Sequence, residues 1–89
     1  MYSKEKKIRA VYLRTRNIAC AITGAERSAT TTGEVRDILS RTLGMGEQAD
    51  YICSAADVLF YGGTVPDTDV KLLKRYLTEI SRTKRRMRR

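Results

Sequence analysis

Histidine and tryptophan are absent from this sequence of 89 residues, and proline occurs only once. Without histidine the chain lacks a Ser-His-Asp triad, a Cys-His dyad and the commonest metal ligand. Cys20 and Cys53 are its only cysteines, and their wide separation fits neither a zinc-site spacing nor a CxxC redox motif. The glycines form no phosphate-binding loop or dinucleotide fingerprint. We therefore predict that the protein is not an enzyme and uses no catalytic residue, metal, cofactor or small-molecule substrate.

Long apolar segments are also missing. No run approaches the ~18 apolar residues that span a bilayer, so no part of this sequence is expected to cross a membrane. The basic N-terminus is not followed by the apolar core of a signal peptide. Each cysteine lies in an apolar stretch, so both are expected to be reduced core residues of a cytosolic protein. A disulfide that joins two helices is the alternative.

The composition is typical of a folded domain. Hydrophobic residues make up 42% and charged residues 31% of the chain, which is not the balance of a disordered protein. The length suits one small domain, which we expect to span residues 1–81, followed by a basic tail at residues 82–89. Met87 lies one heptad beyond Ile80 on the apolar stripe of the fourth segment, so the pattern allows the last helix to continue into this tail.

Apolar residues recur at helical spacing in four segments. The predicted helices cover about residues 4–23, 32–43, 47–61 and 66–84. No segment alternates with period two for long enough to form a strand. The predicted fold is therefore all-α, a compact bundle of four helices joined by short connections that contain Gly or Pro.

Capping residues mark the ends of these segments. Thr31 and Glu34 have the spacing of a capping box at the start of the second helix. Residues 64–67 offer a start for the fourth helix, with Pro66 in its first turn, where proline is tolerated. Glycines suited to end the first three helices are Gly24, Gly44, Gly62 and Gly63.

Charge is unevenly distributed along the chain, whose formal net charge is +8. Residues 1–16 carry a net +5 and residues 82–89 a net +6, whereas residues 17–81 carry a net −3. The two basic ends suit a phosphate-rich partner, either an anionic membrane surface or a nucleic acid. The candidate contact residues are Lys4, Lys6, Lys7, Arg9, Arg82, Lys84, Arg85, Arg86, Arg88 and Arg89.

The same features also have purely structural interpretations, which stay open. A basic run is also what a solvated helix end looks like, and cations suit the C-terminal end of the helix dipole. The five tyrosines could stack on bases, but Tyr12 and Tyr76 lie beside apolar stripes and equally suit the edge of a core. The third helix carries Glu47, Asp50 and Asp57, so repulsion from DNA phosphates disfavours its binding in a major groove.

Three stretches of the sequence form a familiar order. A basic helix, IRAVYLRTRNIACAITGAER, precedes TTTGEVRDIL, and ADVLFYGGTVPDTDVKLLKRYL follows later. The positions that carry the pattern are Arg9, Tyr12, Arg14, Arg16 and Gly24, then Thr31 with Glu34, then Phe60, Tyr61, Gly62 and Gly63, and finally Asp67, Asp69 and Val70.

This order resembles the small domain of unknown function at the cytosolic C-terminus of membrane-anchored transglutaminase-like proteins of archaea and bacteria. The resemblance covers about residues 8–80 and implies a module at the inner face of the membrane, where the cationic start suits the positive-inside rule. It transfers no catalytic residue, because the family's chemistry lies in another domain. We expect a non-catalytic cytoplasmic module, close to a membrane, that binds another protein or orients a membrane-anchored parent. The alternative is a small basic protein that binds nucleic acid through its cationic termini.

Overall fold

The computed structural model describes residues 3–87, which form four α-helices and no strand. A short 3₁₀ helix, Arg27–Ala29, lies in the connection between the first two α-helices. The prediction of an all-α fold with four helices is confirmed. The helices are α1 (Lys4–Thr23), α2 (Thr32–Leu43), α3 (Gly46–Tyr61) and α4 (Val70–Met87).

The predicted capping box opens α2. The Glu34 amide donates to the Thr31 hydroxyl at 3.2 Å, and the Thr31 amide donates to the Glu34 carboxylate at 2.9 Å. At the other end of this helix Gly44 adopts a left-handed conformation with φ of 68°, and Gly24 ends α1 in the same way with φ of 77°. A residue with a side chain is strained in that conformation, so these two glycines fix where α1 and α2 stop.

The start of α4 differs from the prediction. Residues 65–69 are not helical, and the helix begins at Val70 rather than near residue 66. Asp69 is the residue that caps it, because its carboxylate accepts the amide of Lys71 at 2.9 Å. Pro66 is buried and packs in the connection, whereas the Asp69 amide donates to the hydroxyl of Tyr51 on α3 at 3.2 Å. The connection is thus anchored to α3, and α4 begins only after Asp69, which caps it.

The other end of α4 extends further than the predicted boundary near residue 84. The helix continues through Met87, so the basic run at residues 82–87 is its last part. Arg88 and Arg89 lie outside the described residues.

Side-chain contacts establish the directions of the helices. Thr32 of α2 bonds Asp57 near the end of α3, and Arg36 contacts Asp50 further back, so α2 and α3 are antiparallel. Gln48 near the start of α3 bonds Glu79 at the middle of α4, whereas Tyr51, further along α3, bonds Asp69 just before α4 begins, so these two helices are antiparallel as well. Both results match the expectation for short connections.

α1 and α4, in contrast, run side by side in the same direction. At one end the Lys4 ammonium lies 4.0 Å from a carboxylate oxygen of Asp67, just before α4 begins. At the other end Ile22 and Met87, close to the two C-termini, line the same pocket. The first and last α-helices of the chain are therefore neighbours along their length.

All four helices contribute to one core. Its only buried polar side chain among the described residues, Thr15, donates its hydroxyl to the carbonyl of Val11 at 2.8 Å, so the hydroxyl is satisfied. The buried hydrophobic residues are Ile8, Val11, Tyr12, Ala19, Cys20, Val35, Leu39, Met45, Ala49, Ile52, Cys53, Ala55, Ala56, Leu73, Leu77 and Ile80.

Truncation of Leu73 tests the role of α4 in this core. The side chain has no exposed surface, so Leu73→Ala should lower the free energy of unfolding by about 2–5 kcal/mol. Urea denaturation followed by circular dichroism measures the change. Val65→Ala is the matched control: its side chain is 49% exposed, and we expect a change within about 0.5 kcal/mol. Equal effects of the two substitutions would contradict the packing described for α4.

Candidate anion-binding groove

The cations of the chain are concentrated on two neighbouring helices. α1 carries six cations against Glu5, a net +5, and α4 carries seven against Glu79, a net +6. α2 is neutral overall, with two cations and two acids, and α3 has a net charge of −3. Because α1 packs beside α4, the charge that the sequence places at opposite ends of the chain lies on two neighbouring helices.

A groove between α1 and α4 collects several of these cations. It has a volume of about 350 Å³ and is lined by Lys7 and Arg14 from α1 and by Lys74 from α4. Val11 and Leu77 form an apolar floor that belongs to the core. Among residues 3–87 none of these three cations forms an ion pair, so their charge is not neutralised within the domain.

The groove continues towards the C-terminal end of α4. A second depression of about 260 Å³ shares Arg14, Leu77 and Thr78 with the first and adds Arg82 and Arg85. Within the described part of the chain, no acidic residue lines either depression. We call the two together the α1–α4 groove. Its cations span residues 74–85 on α4, about 16 Å at the rise of an α-helix.

The candidate contact residues near the N-terminus occupy different surroundings. Lys7 lines the α1–α4 groove and Lys6 is exposed beside it. Arg9 is exposed and forms an ion pair with Glu5 at 3.3 Å. Lys4 is half-buried and lies near Asp67. The structure thus brings only Lys7 of this set into the groove.

The candidate residues near the C-terminus are also divided. Arg82 and Arg85 line the groove, and Arg86 is exposed. Lys84 lines a separate pocket with Ala21, Ile22 and Met87, so it points away from this surface. Arg88 and Arg89 fall outside the described residues, and nothing follows for them.

Two groove residues were missing from the sequence-based set. Arg14 lies in the basic N-terminal region but apart from the cluster of cations at residues 4–9, and Lys74 lies outside both basic ends of the chain, so neither was included. Helical spacing could have grouped some of these cations. Arg14 follows Lys7 by two turns of α1, and Lys74 precedes Arg82 and Arg85 on one face of α4. What brings Lys74 beside Lys7 is the packing of α1 on α4, which no local pattern specifies.

A second cluster of polar residues joins α2 to α3. Arg36 donates to Asp50 at 3.1 Å, to Ser54 at 3.1 Å and to Asp57 at 3.0 Å. Thr32 donates its hydroxyl to the other carboxylate oxygen of Asp57 at 2.7 Å. Each member has partners within the cluster, as expected for a structural network. The acids of α3 are therefore partly occupied in holding α2.

Buried titratable groups behind this network are poorly suited to nucleophilic chemistry. Burial raises the pKa of the Cys53 thiol from 9.0 to about 12, and the nearby carboxylates of Asp57 and Asp50 add to the effect. Burial also raises the pKa of the Tyr12 hydroxyl from 10.0 to about 12. At neutral pH both groups keep their protons, whereas the reactive form of a cysteine is the thiolate.

Two residues of α1 depart from the outward orientation that their polarity suggests. Arg16 and Asn17 are half-buried, and Arg16 Nε and Asn17 Oδ1 have no hydrogen-bond partner among the described residues. Neither residue lines the α1–α4 groove.

Comparisons of this chain with family models, with curated proteins and with solved structures find no significant match. Within residues 3–87, no helix combines the length and the apolar character that crossing a bilayer requires.

The raised pKa of Cys53 predicts a loss of stability in alkaline solution. The folded domain retains the thiol proton to a higher pH than the unfolded chain, so folding is favoured fully below pH 9 and less as the pH rises from 9 towards about 12. Urea denaturation at a series of pH values measures this slope. In Cys53→Ala the decline above pH 9 should be shallower than in the wild type. Identical slopes for the two proteins would show that the thiol is not protected by burial.

Proposed function

We propose that this domain is a non-catalytic helical module that lies on the anionic inner face of a membrane through the surface formed by α1 and α4. The observation that carries the proposal is the α1–α4 groove, where cations from two parallel helices line one surface without an acidic neighbour. The family resemblance of the sequence supports the same location. On this proposal the domain orients a membrane-anchored parent or recruits a protein partner to the membrane.

Electrostatics supports a lipid surface as the target. A Lys or Arg close to an anionic membrane contributes about 1 kcal/mol, and Lys7, Arg14, Lys74, Arg82 and Arg85 all line the groove. The attraction between a cation and the anionic membrane falls off within about 8–10 Å at physiological salt. Only cations on the side of the domain that faces the membrane therefore contribute to binding. A helix packing that spreads the charges along one surface therefore favours binding in which α1 and α4 lie along the membrane.

The remaining side of the domain is available for a protein. α3 carries the acidic residues Glu47 and Asp50, both exposed, and contributes no residue to the α1–α4 groove. A domain that contacts lipid through α1 and α4 would leave these acids facing the cytosol. A partner that binds there would be basic at its contact surface.

Vesicle co-sedimentation tests the membrane surface with a matched pair of variants. Lys7→Glu combined with Lys74→Glu reverses two charges inside the groove. Lys71→Glu combined with Arg75→Glu makes the same change in net charge on another surface of α4, where these residues lie beside Asp69 and Leu72. We expect the groove variant to bind anionic vesicles at least about tenfold more weakly than the wild type, and the control variant to bind much more strongly than the groove variant.

Two outcomes would contradict the proposal. Equal losses for both variants would mean that net charge, rather than the groove, determines binding. Equal pelleting of the wild type with neutral and anionic vesicles would remove the electrostatic basis altogether. Stronger binding to duplex DNA or RNA than to vesicles, with an affinity that falls steeply with salt, would instead support the nucleic-acid alternative.

A further inference from the structure

The last turn of α3 and the connection after it expose a group of apolar side chains. Val58 is 40%, Phe60 39%, Tyr61 79% and Val65 49% exposed. We call these four residues the terminal patch. Most large hydrophobic residues of this domain are buried, so their concentration in one short stretch requires an explanation.

The patch exists because α2 is shorter than α3. α2 begins at Thr32, whose hydroxyl bonds the carboxylate of Asp57, so the start of α2 lies opposite that residue. α3 continues for four residues beyond Asp57, to Tyr61. The last turn of α3 therefore extends past the helix that covers its earlier part.

Phe60 is held in place by α1 rather than left loose. Its ring meets the ring of Tyr12 edge to face, with centroids 5.6 Å apart and an interplanar angle of 74°. The guanidinium carbon of Arg9 lies 5.9 Å from the centre of the Phe60 ring. A cation and an aromatic ring thus lie together at the surface, an arrangement that is attractive in itself.

Cations connect the terminal patch with the α1–α4 groove. Arg9, which contacts Phe60, lines a shallow depression of about 260 Å³ together with Lys6, Ala10 and Leu13. Ala10 also lines the α1–α4 groove, so the two depressions meet on α1. The exposed side of α1 therefore joins the apolar patch to the basic groove as one surface.

Two acids close to this surface, Glu5 and Asp67, lie near cations of α1. Glu5 pairs with Arg9 at 3.3 Å, and Asp67 lies 4.0 Å from the ammonium of Lys4. Lys6 and Lys7 form no ion pair among the described residues, which leaves a positive surplus beside the patch. Apolar area with a cationic border matches the interface of an anionic membrane, where phosphates lie a few ångströms above hydrocarbon.

We infer that the terminal patch inserts into the interface of an anionic membrane, with Phe60 and Tyr61 at the level of the lipid headgroups. This inference rests on the proposed function and adds the element that enters the bilayer. Tyrosine favours that level because its ring is apolar and its hydroxyl is polar, and the Phe60 ring lies beneath the guanidinium of Arg9. Lys6 and Arg9 contact the phosphates around the inserted rings, and the α1–α4 groove holds the rest of the domain against the surface.

A tryptophan placed in the patch tests insertion directly. The chain contains no tryptophan, so in Tyr61→Trp all tryptophan emission comes from position 61. With vesicles that contain anionic phospholipid, we expect a blue shift and quenching by lipids brominated on their acyl chains. Thr42→Trp is the matched control, because Thr42 is exposed on α2 and lines neither depression. Its emission should stay unchanged when vesicles are added.

A second variant measures the contribution of the patch to affinity. Tyr61→Ser removes a mostly exposed ring, so the free energy of unfolding should change by no more than about 0.5 kcal/mol. The dissociation constant for anionic vesicles should rise about three- to tenfold through the loss of buried apolar area. An unchanged dissociation constant would overturn the inference.

The outcomes separate this inference from the proposed function. If wild-type protein does not pellet with anionic vesicles, the proposed function fails. If it pellets but the tryptophan at position 61 neither shifts nor is quenched, the insertion inference fails and electrostatic binding stands. A blue shift that appears without vesicles and grows with protein concentration would mean that a second copy of the chain covers the patch, which also overturns the inference.

Discussion

The parallel packing of α1 on α4 determines where the charge of this domain lies. Ile8 and Val11 from α1 belong to the same core cluster as Leu73, Leu77 and Ile80 from α4. An antiparallel pair would bring the two basic runs of the sequence together at one end of the domain. The parallel pair instead spreads them along helices of about 30 and 27 Å, and cations outside the sequence-based set, such as Arg14 and Lys74, then become part of the same surface.

This arrangement keeps like charges close together in the free domain. Their repulsion is screened by water and salt, because the cations lie on an open surface rather than in the interior. The apolar floor of Val11 and Leu77 holds the helices together beneath them. The acids of α3 do little to reduce the repulsion between these cations, because Asp50 and Asp57 already pair with Arg36. On the proposed function, an anionic surface would remove this repulsion, and binding would then stabilise the α1–α4 contact.

Local signals in the sequence were sufficient for most of the fold. Three helices start within one residue of their predicted positions, since Ser3 and the Thr31–Glu34 box act as caps and Gly44 ends α2 just before α3. The predicted start of α4 was wrong, because Pro66 is buried in the connection before the helix rather than in its first turn. A hydrogen bond from the Asp69 amide to Tyr51 anchors this connection to α3.

The candidate site was less predictable, because it depends on relations between helices. The sequence identified Lys7, Arg82 and Arg85 as members of basic runs, but it could not show that α4 would place Lys74 beside Lys7. Phe60 lies within the third segment of helically spaced apolar residues, yet it is 39% exposed. Its ring lies against Tyr12 and Arg9 of α1, and this position depends on the packing of two elements.

The combination of the groove with the terminal patch distinguishes between the two phosphate-rich partners. A duplex presents phosphates at regular intervals and could satisfy the cations of the groove alone. It offers no apolar phase in which Val58, Tyr61 and Val65 could be buried, and these side chains would stay in water in such a complex. A membrane interface offers phosphate and hydrocarbon at neighbouring depths, so it can engage Arg9 and the ring of Phe60 at the same place. The structural feature that favours lipid over nucleic acid is thus the apolar surface beside the cations, and not the number of cations.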